Sequence, residues 1–462
     1  CCLWRLVNLR SRIIRIILIS NRITYQRSVW PARPDEHNRL PVRAATVLNA
    51  VRPGCCGVPT RRAISFFVLR VILKISSSLR YLAAGAVTAL VVSACGNSSS
   101  DANNGGTPAV DTVQLRTDFL IHMIDRVVVP GYAELVTQTG AMADKAGQFC
   151  AARNEAGFEA MQAQWLRTMD AWQSMRWLAQ GPINFAYRFD RFEAWPRASA
   201  AAVQTRVDLL LAQAGSSDAP AMNRALIEIQ PVQAQGLPAL EYLLFEDRSA
   251  ADFPDDAAGN RRCEMVEAIA QNLQAMAIAV HENWTDPEAR DEIGRGVLGV
   301  RTQELNATFD TMINQTRQAL ITMRHEQIGG PLGITVPDQE PIPNRFALQS
   351  ARSETSLDHP IEALMVIERI MGADGGNLAG LLTALGHPVV PVELARLIDE
   401  AESIAAMMNS DGISFEQAVT TTELLPRAVS MYYAVRAVDE YWQDTVMPAA
   451  GAQPTFNFND GD

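Results

Sequence analysis

No methionine occurs before Met123, and the chain opens on Cys1-Cys2. Residues 1–70 also lack any sustained period of 2 or 3.6, since short apolar runs alternate with arginines. That excludes an amphipathic helix or a half-buried strand as their organising element. We expect residues 1–70 to be a spurious or disordered basic extension, with initiation near Val71. Strand signals are missing from the remainder too, which excludes a sandwich, a barrel or a parallel α/β sheet. The sequence holds no His-Glu-x-x-His, and so no two-histidine zinc helix of the usual kind. Histidine is scarce: His122, His281, His325 and His387 are scattered without paired spacing. His281-Glu282 and His325-Glu326 are adjacent pairs, which point apart on an α-helix.

Charge is present, but divided. Residues 1–94 hold 15 Lys and Arg against 2 Asp and Glu, whereas residues 95–462 hold 25 against 49. An acidic body would repel phosphates, which argues against nucleic acid as a partner. Between the halves lies a recognisable processing pattern. Lys74 and Arg80 form a positive flank, Tyr81 to Val92 is an apolar run too short to span a bilayer, and Val92-Ser93-Ala94 precedes Cys95. Residues 71–94 resemble a bacterial lipoprotein signal peptide, with Cys95 the lipidated residue after cleavage. Membrane attachment would then run through the lipid on Cys95. Gly96 follows the cysteine, so the outer membrane is the expected destination. Residues 95–112, rich in Asn, Ser and Gly, read as a flexible tether.

Seven cysteines reduce to two once the extension and Cys95 are set aside. Cys150 and Cys263 are an even pair in an oxidising compartment, and we predict a disulfide between them; two buried free thiols are the alternative. Neither has a second Cys or His at metal-ligand spacing.

The body is predicted all-α, as two helical-bundle domains over 113–252 and 257–462 with a cleft between them. Val113 to Gln148 has helical apolar spacing, kinked at Pro130-Gly131. Further helices are predicted over 155–179, 198–214, 219–229, from Pro238, and over 259–284, 286–324, 345–371, 378–384, 391–408, 414–421 and 424–446. Phe158, Met161, Trp165, Met169 and Trp172 form a stripe that reads as a core face. Trp172 to Pro196 is irregular and dense in Arg, Asp and aromatics. Arg188, Asp190, Arg191 and Trp195 are therefore candidate cleft residues, with a structural ion-pair cluster as the equal alternative.

One segment points to a family. Gly236-Leu237-Pro238-Ala239-Leu240-Glu241 opens an apolar helix and resembles the Gly-x-His-x-x-Glu signature of imelysin-like proteins, with Pro238 in the histidine position. Phe149-Cys150-Ala151-Ala152, Ala171-Trp172-Gln173, Gly181-Pro182-Ile183, Arg188 to Phe192, Trp195-Pro196, Arg262-Cys263 and Ser356-Leu357 resemble further landmarks of the family, in the same order. The resemblance spans about residues 113–462. It implies an all-helical protein of the bacterial cell envelope, on the periplasmic side, associated with iron uptake and its envelope partners. Peptidase activity belongs to some members only.

The resemblance makes Gly236 and Glu241 ligand-binding candidates. Iron or another divalent metal is the cofactor it leaves open, with Glu241, His359 and Glu362 as candidate ligands. Asp358-His359-Pro360-Ile361-Glu362 is a second His-x-x-Glu, whose i,i+3 spacing shares a helical face. Its ordinary reading is a helix start, with Asp358 as cap and Pro360 in the first turn. Three functions are open: a binding or accessory protein of iron uptake without peptidase turnover, a metallopeptidase, or an envelope scaffold with a vestigial cleft. The first is the expectation, because Pro238 offers no lone pair to a metal.

Overall fold

The structure is a computed structural model, and it describes residues 111–245, 248–286, 302–336, 339–372 and 377–454. The segments expected to be an extension (1–70) and a signal peptide (71–94), together with Cys95 and residues 455–462, lie outside the described residues. The described residues are helices and connections, with no strand among them. None of these helices is long and apolar enough to cross a membrane.

The principal helices are α1 (Thr112–His122), α2 (Val129–Ala152), α3 (Glu155–Arg176), α4 (Ala200–Leu211), α5 (Gly236–Leu244) and α6 (Ala257–Thr285). They continue with α7 (Thr302–Thr322), α8 (Asp358–Met371), α9 (Leu378–Ala384), α10 (Val390–Ser410), α11 (Phe415–Thr420) and α12 (Leu425–Tyr441). Local chemistry sets many starts. Asp111, Asn154, Ser199, Asp256 and Ser414 each accept a backbone N–H of the first turn that follows, satisfying donors that have no partner inside the helix. Asp358 differs from the sequence reading. It lies inside the first turn of α8, and the capping position falls on Leu357 without a side-chain bond.

Three proline sites share one solution. Wide π turns at Met123–Val128, Met323–Gly329 and Trp442–Val446 each run straight into a short or long α-segment that carries Pro130, Pro331 or Pro448 near its start. Proline brings no N–H and its ring collides with the carbonyl four residues back. Opening the preceding turn removes the collision while the helix continues. The kink expected at Pro130-Gly131 is thus a π turn placed just before it.

Helices α2, α3, α4, α5 and α6 pack around one another, and α6, which follows residue 256, packs most extensively on α2. Helices α7, α8, α10, α11 and α12 form a second group, joined to the first mainly where α8 crosses α3. One apolar core runs through both groups. The stripe Phe158, Met161, Trp165, Met169 and Trp172 is wholly inside it. Cys150 of α2 and Cys263 of α6 are joined in a disulfide with Cα atoms 5.5 Å apart, inside the first group.

Candidate functional site

Helix α5 begins with a backbone that only glycine adopts easily. Gly236 has φ +75°, and a Cβ there would run into the carbonyl oxygens of Arg191 and Phe192. Its freedom lets the chain turn into α5 directly against the 188–192 segment. Pro238 occupies the first turn, where a missing N–H removes nothing from the helix. The Trp165 indole N–H donates to the Leu237 carbonyl at 3.0 Å and fixes α5 on α3.

Glu241, one turn on, is 5% exposed. Its Oε1 accepts three hydrogen bonds: from the Arg352 N–H at 3.1 Å, the Ser353 N–H at 3.0 Å and the Ser353 hydroxyl at 3.0 Å. Successive backbone N–H groups converging on one oxygen make an anion-holding turn. Ser350 and Glu354, at either end of it, both have left-handed backbone, φ 52° and 56°, a conformation that side-chain-bearing residues adopt only when their surroundings demand it. Burial outweighs these donors and the Arg352 charge, and the carboxyl is pushed up to about 7.

The sequence predicts helix through 345–371, but only Arg345–Ala347 and α8 are helical, and residues 348–357 between them are irregular. That irregular strap supplies the Glu241 donors, and the sequence reading missed it. The polar run Ser353-Glu354-Thr355-Ser356 was the available signal, because such side chains compete with helix by bonding nearby backbone.

A second buried carboxylate anchors the same strap. Glu193, 1% exposed, accepts from the Trp172 indole at 2.8 Å and the Gln173 amide at 3.0 Å, and pairs with Arg176 at 3.2 Å. Its other oxygen accepts from the Gln349 side-chain amide. Gln349 in turn accepts from the Gln327 amide at 2.8 Å and, on its carbonyl, from the Ser356 hydroxyl. On the far side Glu416 of α11 accepts the Ser356 N–H at 3.0 Å.

These elements enclose a cleft of about 1330 Å³. Glu193, Trp195, Pro238 and Glu241 contribute to its lining, as do the strap, His325, Glu326 and Glu416. His325 and Glu326 face the same cleft although they are adjacent. They sit in the π turn Met323–Gly329, beside a cleft broad enough to be lined by neighbours that do not share one helical face. Sequence reasoning set this pair aside on α-helical geometry.

The sequence candidates separate accordingly. Glu241 and Trp195 line the cleft, and Arg188, Asp190, Arg191 and Gly236 are not among the residues lining it. Arg191 is buried, donating to the Gln235 side chain at 2.9 Å and the Asn272 side chain at 3.1 Å. Asp190 pairs with Arg197, and Arg188 donates to the Pro182 carbonyl at 2.9 Å. Each of these three side chains thus has a partner outside the cleft lining.

His359 lies on α8, 1% exposed, and neither ring nitrogen has a hydrogen-bond partner. Burial, with the Arg176 charge second, pushes it down to about 3, so the ring is neutral. Glu362 is a charge neighbour of Arg369 on the same helix. Among the described residues, no three of His, Cys, Asp and Glu are grouped so as to hold a metal ion. The donor set around Glu241 therefore does not fit a hydrolytic metal centre: Pro238 has no ligand atom, and one carboxylate oxygen is already saturated by N–H and O–H donors.

Comparison with known proteins follows the same line. A crystal structure of an imelysin-like protein from Psychrobacter arcticum 273-4 superposes with a TM-score of 0.61 at 19% identity, covering 74% of this chain and 98% of that one. A protein provisionally described as an iron-regulated protein A precursor, from Parabacteroides distasonis ATCC 8503, superposes with a TM-score of 0.55 at 15% identity, covering 76% and 98%. At these identities the likeness shows the fold. No curated protein sequence matches. The family model for imelysin matches residues 128–438. This chain belongs to the imelysin family.

Proposed function

We propose that this chain is a lipid-anchored protein of the bacterial cell envelope, a binding or accessory component of iron or other metal uptake that works without peptidase turnover. Family membership supports the envelope setting, and the Parabacteroides protein provides the link to iron regulation. The residues Val92-Ser93-Ala94-Cys95 support the anchor.

The observation that carries the binding reading is the state of Glu241. It is buried in a cleft wall, one oxygen is held by the strap, and the neighbouring motif position is Pro238. A carboxylate fixed in this way can orient a ligand or report its arrival through the strap. Its motif neighbour Pro238 supplies no imidazole, and no group of three metal-ligating residues is present among the described residues to complete a hydrolytic site.

Metal content and proteolysis of the purified protein test the reading together. Expected are no chelator-sensitive peptide hydrolysis and no stoichiometric zinc. Stoichiometric zinc with proteolysis abolished by a chelator overturns it in favour of a metallopeptidase. Labelled fatty acid incorporated by the wild type and not by Cys95→Ala tests the anchor.

A further inference from the structure

Carboxylates outnumber guanidinium groups in the cleft, and the guanidinium groups face elsewhere. Arg345 lies over the Phe346 ring at 5.0 Å, and Arg352 lies over the Tyr242 ring at 5.1 Å and reaches the Ala200 carbonyl at 3.4 Å. Glu193 is fully occupied by its four donors. Of the four others, Glu354 is exposed to water, and the remaining three are withdrawn but not fully occupied. Glu241 uses Oε1 for the strap, and no hydrogen bond or ion pair among the described residues reaches its Oε2, on a side chain 5% exposed. Glu416 of α11 repeats the pattern: Oε1 takes the Ser356 N–H, while Oε2 is buried without a hydrogen bond. Glu326, from the π turn, has no hydrogen bond among the described residues and only the more distant charges of Arg176 and Arg197.

Carboxylate oxygens with little access to water and no ion pair in direct contact are unfavourable unless a cation or a proton arrives. The three groups stand on α5, α11 and the π turn, so one small ion does not gather them, in keeping with the missing three-residue metal group. The cleft volume of about 1330 Å³ also exceeds what an ion needs. Separated acceptors in a roomy cleft suit separated donors on one flexible molecule, and each ammonium group presents three N–H donors and no acceptor.

We propose that the cleft binds a small organic polycation, a ligand with two or more ammonium groups, whose charges are met by Glu241, Glu326 and Glu416. This deepens the binding reading of the cleft and rests on it. Because Glu241 and Glu416 hold the two ends of residues 352–356, a ligand spanning them also bridges the ends of the strap.

Isothermal calorimetry with spermidine as the probe tests the proposal, at physiological ionic strength so that diffuse attraction to the acidic surface is screened. Glu241→Gln, Glu326→Gln and Glu416→Gln keep the side-chain shape and an acceptor for the strap, and thermal unfolding confirms that each folds. Each is expected to weaken binding about tenfold or more, as loss of a charge-assisted contact does. Glu400→Gln, an exposed carboxylate on α10, is expected to leave binding unchanged. The proposal is overturned if wild-type protein gives no spermidine heat, if the three substitutions combined leave the affinity intact, or if Mg²⁺ alone binds with the same dependence on the three residues. Those outcomes are independent of the zinc and proteolysis measurements, so the inference can fail while the non-peptidase reading stands.

Discussion

Replacing Glu241 with Gln should stabilise the protein at neutral pH and leave it unchanged in acid. Glu241 titrates at about 7 in the folded protein against an ordinary value of 4.5. Below 4.5 the carboxyl is protonated in both states, and the folded form bears no penalty. As pH rises through about 7, the unfolded chain releases its proton first, and stability falls by up to about 1.4 kcal/mol per pH unit. The whole interval corresponds to about 3 kcal/mol lost by pH 8. Glutamine still accepts the Arg352 and Ser353 N–H bonds but carries no charge to desolvate. Glu241→Gln should therefore exceed wild type by about 3 kcal/mol at pH 8 and match it at pH 4. His359 has the opposite sign. Its folded value of about 3 lies below the ordinary 6.5, so its contribution is complete above 6.5 and is lost as pH falls toward 3. Between 4.5 and 6.5 the two slopes cancel, and these two groups leave the wild type nearly flat there. Urea unfolding across the pH range, at constant m, measures all of this. A Glu241→Gln protein less stable than wild type at pH 8, or one whose advantage is independent of pH, would refute the reasoning.

Four further outcomes can be checked in the same assay. His359→Leu should remove the acid-side loss, about 5 kcal/mol by pH 3 from the linkage alone, and persistence of that slope in the variant would show the wrong group was chosen. Gly236→Ala should destabilise by more than about 2 kcal/mol, because left-handed backbone and contact with two carbonyl oxygens act together; normal stability would place the chain turn elsewhere. Glu193→Ala should cost about 3–5 kcal/mol by leaving Arg176 buried without its carboxylate, and a loss under about 1 kcal/mol would mean that the pair is surface-like. Cys150→Ser with Cys263→Ser should lower stability by roughly 3–5 kcal/mol, as expected for a bridge closing a loop of 113 residues; equal unfolding of wild type and variant without reductant would contradict the bridge.

The helices were legible because burial leaves a period. The stripe from Phe158 to Trp172 is spaced for one face and is wholly buried. The cleft was only half legible, for two physical reasons. The strap over 348–357 has the composition of a frayed helix, and what stops it from being one is a tertiary contact, the capture of its N–H groups by Glu241 and Glu416. His325 and Glu326 were invisible because they were judged by whether they share a helical face, whereas the cleft is broad enough for both neighbours to line it. For Arg188, Asp190 and Arg191 the dense charge pattern coincides with a folded corner whose partners are Pro182, Arg197, Gln235 and Asn272.

Gly236, Pro238 and Glu241 thus act at successive levels of one device. Glycine lets the chain enter α5 against the 188–192 corner, and proline occupies the turn without removing a helix bond. Glutamate then takes the backbone of a segment more than a hundred residues away. A carboxylate committed to this task would be held ionised most cheaply if it were exposed. Its burial instead raises its titration toward neutrality and leaves Oε2 without a partner beside Glu416 and Glu326 in the cleft lining. Strap anchoring requires one oxygen and favours burial, whereas the second oxygen and the half-buried Glu326, which has no hydrogen bond among the described residues, add a desolvation cost that anchoring does not require. A fold that retained them for structure alone would gain stability from Glu241→Gln and Glu326→Gln at neutral pH. Loss of polycation binding in those same stabilised variants would then identify what the charge is for.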